Sequence, residues 1–143
     1  MESQGRPFSV IQGNADAPLR IAFSLVHPRE RIDVPVREVR QVEVVAEETF
    51  NYPDSRALQT WSRPIVRVAL KPIIRARLYR LTRTIVEQPL AIIVTGEVVA
   101  RPIVREPLGR YENFCISYWD LDDAREIAAK IRKGWVIPDL RVV

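Results

Sequence analysis

The feature that most constrains the fold is an ordered succession of apolar patterns between Pro64 and Gly134. Strand-like runs occur at 65–70, 90–94, 97–105 and 114–118. Two segments, after Pro72 and after Asp120, repeat apolar residues at the helical spacing of three and four. The order strand, helix, strand, strand, strand, helix predicts an α+β fold. We expect a mostly antiparallel sheet with two helices packed on one face, as in ferredoxin-like or split βαβ domains.

Both predicted helices have favourable ends. Pro72 suits a first helical turn, where its missing N–H costs nothing. Asp120 can accept a hydrogen bond from an unpaired N–H at the start of the second helix, and Gly134 can adopt the left-handed conformation that ends it. The first helix would bury one stripe of residues, Ile74, Leu78, Leu81 and Ile85.

The N-terminal part of the chain is less regular. Residues 1–18 are polar and aperiodic, which predicts a flexible arm before a single domain at 19–143. Further strands are predicted at 19–25 and 39–45, with a charged connection at 27–35 and a loop at 47–62.

Composition excludes several classes of function. The single cysteine and single histidine rule out a disulfide framework, a zinc site with several thiolates and any motif with two histidines. None of the five glycines belongs to a phosphate-binding loop. No apolar run approaches the roughly 20 residues needed to cross a bilayer, and the N-terminus has no signal-peptide pattern. We therefore expect no catalytic residues, no cofactor, no metal and no membrane span.

Two remaining clusters have simple structural interpretations. Cys115 lies between Phe114 and Ile116 in a predicted strand, so we expect a buried, unreactive thiol and no partnership with His27. Three aspartates near residue 120 lack the glycine and distant glutamate of a calcium loop, and they coincide with a helix start.

Candidate residues for binding a polypeptide lie in two places. The predicted loop at 47–62 contains three aromatic residues, Phe50, Tyr52 and Trp61. They would either cover the core or anchor a partner. Val99 and Arg101 belong to the strand at 97–105, which Pro102 should confine to a sheet edge. An extended chain can join such an edge as an added strand.

The densest basic cluster is Arg75, Arg77, Arg80 and Arg83, and it also contains Tyr79. Of these arginines, Arg75, Arg80 and Arg83 lie opposite the apolar stripe of the first helix. It would be either a solvated face or a docking surface for phosphate, anionic lipid or acidic polypeptide. RNA binding is disfavoured, because the predicted strands lack the aromatic residues that stack bases.

Four motifs occur in a characteristic order between Pro64 and Leu140. They are Leu81-Thr82, the apolar strand, turn and strand at 89–99, Pro102-Ile103 with Glu106-Pro107, and Asp122-Asp123-Ala124 followed by Lys133-Gly134. In this order and spacing, the segment resembles the head subdomain of the first large extracytoplasmic domain of SecD, an accessory subunit of the bacterial protein-export translocase. Thr95 departs from the family pattern, which has Asp in the hairpin.

The resemblance implies a non-enzymatic, extracytoplasmic module that binds extended or unfolded polypeptide, or another protein of the export machinery. The residues alone also allow a cytoplasmic adaptor or nucleic-acid-binding module that uses the arginine-rich helix. The sequence leaves the oligomeric state open.

Overall fold

The computed structural model of the chain describes residues 19–51, 60–118 and 120–137. The strands are β1 (Ile21–His27), β2 (Glu30–Pro35), β3 (Val39–Asn51), β4 (Thr60–Leu70), β5 (Ala91–Val94), β6 (Glu97–Ala100) and β7 (Asn113–Ser117). The helices are α1 (Pro72–Thr82) and α2 (Leu121–Lys133), and a short 3-10 helix spans Val36–Glu38.

The strands form two antiparallel sheets, one in the order β2-β1-β5-β6 and the other in the order β3-β4-β7. All the pairs in both sheets are antiparallel. The predicted α+β class, with antiparallel strands and two helices, is confirmed. The arrangement differs in that the strands divide between two sheets, and the described strands include no parallel pair. The chain leaves the second sheet after β4, and α1 leads it into the first.

Helix α2 unites the two sheets into one core. It packs against β1 and β5 of the first sheet and against β3 and β4 of the second. The residues of its buried stripe are Ala124, Ile127, Ala128 and Ile131. The rings of Phe23 on β1 and Phe114 on β7 stack with centroids 5.8 Å apart. Near the end of α2, the Arg132 side chain donates a hydrogen bond to the Val42 carbonyl oxygen at 2.7 Å.

The predicted helix ends and the hairpin turn are confirmed. Pro72 lies in the first turn of α1. The Asp120 carboxylate accepts a hydrogen bond from the Asp122 N–H at 2.7 Å, which caps α2. Gly134 ends α2 with φ of 71°, and Thr95 and Gly96 turn between β5 and β6 with φ of 53° and 80°.

Two segments predicted as irregular are strands instead. The charged connection predicted at 27–35 contains the last residue of β1, His27, and the whole of β2, in which buried Ile32 and Val34 alternate with charged residues that face solvent. The predicted loop at 47–62 is shorter, because β3 continues to Asn51 and β4 begins at Thr60. In β2, the frequent charged residues concealed the two-residue alternation of a strand. In β3, an irregularity in strand pairing between Val45 and Glu48 interrupts that alternation.

The predicted arm at 1–18 lies outside the described residues. Within the described ranges, neither helix has the length and apolar character required to cross a membrane.

Candidate functional site

A groove runs between the segment 100–106, which follows β6, and strand β7. Its larger cavity has a volume of about 350 Å³ and is lined chiefly by apolar residues, among them Leu90, Pro102, Ile103, Val104, Leu108 and Phe114. A second cavity of about 340 Å³ lies beside Ile92, Ala100, Arg101 and Ile116. Both cavities contact Pro102 and Cys115, so they are neighbours along the groove.

One wall of the groove is β7, which is the last strand of its sheet. The Leu70 N–H donates to the Glu112 carbonyl oxygen at 3.0 Å, and the Tyr118 N–H donates to that of Pro64 at 2.9 Å. Backbone groups alternate in direction along an antiparallel strand. The backbone groups of Asn113 therefore point away from β4 toward the open edge, and those of Ser117 do the same.

The other wall extends the β5–β6 hairpin. The Leu90 N–H donates to the Pro102 carbonyl oxygen at 2.9 Å, and the Val104 N–H donates to that of Gln88 at 2.9 Å. A hydrogen-bonded antiparallel pair would also need the N–H of residue 102 to donate to the Leu90 carbonyl oxygen, and proline has no N–H. Regular β6 therefore ends at Ala100. By the same alternation, the backbone of Ile103 faces away from the β5 side. The prediction that this strand lies at a sheet edge is confirmed for β6, but the strand ends at Ala100, before Pro102, and does not continue to Arg105 as predicted.

The turn at 106–110 closes one end of the groove and is fastened to α1. The buried Thr82 hydroxyl accepts a hydrogen bond from the Leu108 N–H at 2.7 Å and donates to the Leu78 carbonyl oxygen at 2.8 Å. Gly109 has φ of 91°, and a Cβ at this position would collide with the Arg75 carbonyl oxygen. The turn therefore has little freedom relative to the helix.

A row of polar side chains crosses the outer face of the second sheet. Arg67 lies opposite Glu43 on β3 and opposite Cys115 on β7. The Arg67 Nη1 atom donates a hydrogen bond to Glu43 Oε1 at 3.1 Å, and this bond, with a smaller contribution from Cys115, raises the pKa of Arg67. The prediction that Cys115 is buried is wrong: it is exposed, because it alternates with the inward-facing Phe114 and Ile116.

Tyr118 follows β7 and is half-buried. Its hydroxyl is buried and has no hydrogen-bond partner in the described part of the chain. Burial, assisted by the negative charge of Asp123, raises the pKa of Tyr118 to about 12. The fold therefore favours the neutral phenol.

The residues predicted for polypeptide binding have different surroundings. Arg101 is exposed and lines the groove, whereas Val99 is half-buried and packs against the core. Phe50 and Trp61 lie opposite one another in the β3–β4 backbone pairing. Tyr52 lies outside the described residues. The role of all five in binding stays a prediction.

The predicted arginine cluster is divided by the fold. Arg80 and Arg83 are exposed. Arg75 is half-buried, and its Nε is buried without a hydrogen-bond partner among the described residues. Arg110 lies in the turn at 106–110 and hydrogen-bonds to Tyr79 of α1. This hydrogen bond raises the pKa of Arg110.

Sequence reasoning found one wall of the groove and missed the other. Pro102 was a local signal for the first edge. The alternation around Asn113–Ser117 indicated a strand but carried no sign that it would lie at the end of a sheet. Leu90 and Phe114, which line the larger cavity, were indistinguishable from other core residues.

The fold and the groove define a small antiparallel α+β module with two sheet edges, at β6 and β7, that no other described strand covers. In the described ranges, no three His, Cys, Asp or Glu side chains are grouped to hold a metal ion. The family model for the P1 head subdomain of SecDF matches residues 29–137, and the chain belongs to this family. The resemblance noted in the sequence is thereby confirmed. No curated protein sequence matches the chain.

Solved structures of SecDF match the chain, and the match with the higher TM-score shows a shared fold. One, described as "Structure and function of a membrane component SecDF that enhances protein export", matches with a TM-score of 0.54 at 17% identity, over 96% of this chain and 74% of that chain. Another, "Crystal structure of SecDF in Super-membrane-facing form", matches with a TM-score of 0.49 at 20% identity, over 80% of this chain and 14% of that chain.

Proposed function

We propose that the chain is a non-enzymatic head module of the protein-export machinery, which binds extended polypeptide outside the cytoplasm in the groove between 100–106 and β7. The observation that carries this proposal is the position of the apolar cavity of about 350 Å³ between two open sheet edges. The relation to the SecDF head supports the export context and the extracytoplasmic location.

The two walls supply different parts of the binding energy. The outward backbone groups of Asn113 and Ser117 can pair with an added strand, which recognises any extended chain through its main chain. The cavity beside Ile103 and Phe114 can accept a large apolar side chain from that strand. Such a site would tolerate many sequences and prefer those with exposed apolar residues, as in unfolded proteins.

We expect binding to be weak for each segment. An extended chain loses conformational freedom when it pairs with an edge, and that loss offsets part of the contact energy. Phe50, Tyr52 and Trp61 remain candidates for additional contacts with the same ligand, and their involvement would appear as perturbed signals from the 50–61 region.

The test is an NMR titration of isotope-labelled protein with a permanently unfolded polypeptide at low and moderate salt. We expect chemical-shift changes at 100–106 and 113–117 that persist at moderate salt. Changes confined to Arg75–Arg83 that vanish with salt would contradict groove binding. An absence of changes would contradict polypeptide binding and direct attention to a folded protein of the export machinery.

A matched pair of variants sharpens the test. Ile103→Asn places a polar group in the groove, whereas Val98→Asn alters an exposed residue of the same hairpin that does not line either cavity. We expect the first variant to weaken binding several-fold and the second to leave it unchanged. Equal effects of the two substitutions would contradict the proposed location.

A further inference from the structure

The outer side of α1 carries positive charge that the fold leaves unneutralised. Lys71, Arg80 and Arg83 are exposed and have no carboxylate partner within the described ranges. The sequence contains no acidic residue between Asp54 and Glu87. Positive potential therefore accumulates along this helix.

A large apolar side chain projects from the same side of α1. Ile73 is 77% exposed, the largest exposure among the large hydrophobic residues described. Ile73, Arg80 and Arg83 are separated by seven and three positions, so they share one face of the helix. Arg77 differs, because it turns toward β2 and pairs with Glu30 at 3.2 Å.

The turn after the groove adds to this surface. Gly109 contacts the α1 backbone near Arg75, and Arg110 hydrogen-bonds to Tyr79 of α1. The adjacent Tyr111 is 71% exposed. We call the resulting set of exposed residues the α1 surface; it consists of Lys71, Ile73, Arg80, Arg83, Arg110 and Tyr111.

We propose that the α1 surface docks on a bilayer that contains anionic phospholipids. Basic side chains are attracted to anionic headgroups. The attraction of each side chain decays with distance and is largely screened beyond one Debye length from the membrane. A bilayer interface also accepts isolated apolar and aromatic side chains without a complementary pocket, which suits the exposed Ile73 and Tyr111. The α1 surface shares no residue with the lining of the groove, so the two proposals are independent.

The test is co-sedimentation of the full chain with vesicles of phosphatidylcholine alone and vesicles in which about one third of the lipid is phosphatidylglycerol. We expect binding to the anionic vesicles only, and a loss of binding at high salt. Arg80→Gln with Arg83→Gln should weaken it by about tenfold or more. Ile73→Ser should weaken it at low salt while leaving the salt dependence intact.

The matched control is Arg125→Gln with Lys133→Gln on α2, which removes the same charge from exposed positions. Binding should stay within about twofold of the unaltered chain. Equal binding to neutral vesicles, or an equal loss in the control, would overturn the proposal. Competition by soluble glycerol phosphate at matched phosphate concentration would assign the surface to free phosphate instead. Binding of a polyglutamate peptide without vesicle binding would assign it to acidic polypeptide.

Discussion

The hydroxyl of Thr82, at the end of α1, accepts a hydrogen bond from the backbone N–H of Leu108 at 2.7 Å. The same hydroxyl donates to the Leu78 carbonyl oxygen and is fully buried. The Leu81-Thr82 motif therefore contacts Leu108, the residue that directly follows the distant Glu106-Pro107 motif. This contact positions the turn that closes the groove.

Replacement of Thr82 by Val should destabilise the fold. The variant keeps the shape of the side chain and removes both the acceptor for the partly buried Leu108 N–H and the buried bond to the Leu78 carbonyl oxygen, which should lower the free energy of unfolding by about 1–3 kcal/mol. Urea denaturation would measure the change. Thr84→Val is the control: the Thr84 hydroxyl donates to the Leu81 carbonyl oxygen at 2.8 Å but accepts from no described N–H, so its removal should cost less, below about 1 kcal/mol. Equal losses in the free energy of unfolding for the two variants would mean that the Leu108–Thr82 hydrogen bond does not stabilise the fold.

Gly109→Ala should displace the turn from α1. The backbone has φ of 91°, and the added Cβ would collide with the Arg75 carbonyl oxygen. Both effects act against the native conformation, so we expect a loss of at least about 2 kcal/mol in the free energy of unfolding. NMR shifts should change throughout 105–110. Glu106→Ala, at an exposed position in the same turn, should be nearly neutral, and a native-like Gly109→Ala spectrum would contradict the packing described.

Tyr118 should make stability fall at high pH. Its pKa of about 12 exceeds the usual value near 10, so the fold favours the neutral phenol. This contribution is complete below about pH 10 and is lost as the pH rises through 12. Tyr118→Phe should remove it. Because the hydroxyl has no partner among the described residues, the variant should also match or exceed the unaltered chain at neutral pH, by up to about 1 kcal/mol.

The measurement is the free energy of unfolding against pH for the unaltered chain and for Tyr118→Phe. Tyr111→Phe, at a position 71% exposed, is the control and should retain the fall in stability between pH 10 and pH 12. Parallel curves for the unaltered chain and Tyr118→Phe would contradict the raised pKa.

The stacked rings of Phe23 and Phe114 should couple the two sheets energetically. A double-mutant cycle with Phe23→Leu and Phe114→Leu should give a coupling of about 0.5–1.5 kcal/mol beyond the two separate losses. A control cycle of Phe23→Leu with the exposed Ile73→Ser should be additive within about 0.5 kcal/mol. Additivity in the first cycle would show that each ring packs independently.

Features that depend on a few adjacent residues were predictable from the sequence. The cap at Asp120, the turn at Thr95-Gly96 and the opening of α1 at Pro72 follow from local hydrogen bonding and from backbone preferences. The edge position of β6, the strand that ends just before Pro102, followed from the same kind of argument, because proline lacks the backbone N–H that a central strand needs for pairing.

Errors arose where a local pattern has two meanings. Charged residues around Ile32 and Val34 indicated a connection, yet they are the solvent-facing half of β2. Cys115, between two apolar neighbours, indicated burial, although a strand that alternates places it on the outer face. Apolar neighbours along a strand lie on the opposite face, so they do not determine whether the residue between them is covered.

By itself, the sequence determined the two helices, the antiparallel α+β class and the family, because periodicity, capping and motif order are written along the chain. Only the tertiary structure decided that the strands separate into two sheets and that Asn113–Ser117 forms an open edge opposite Pro102. It also brought Arg110 to α1. Pairing between distant segments depends on the combined packing of the whole core around α2, and no short stretch of sequence contains that information.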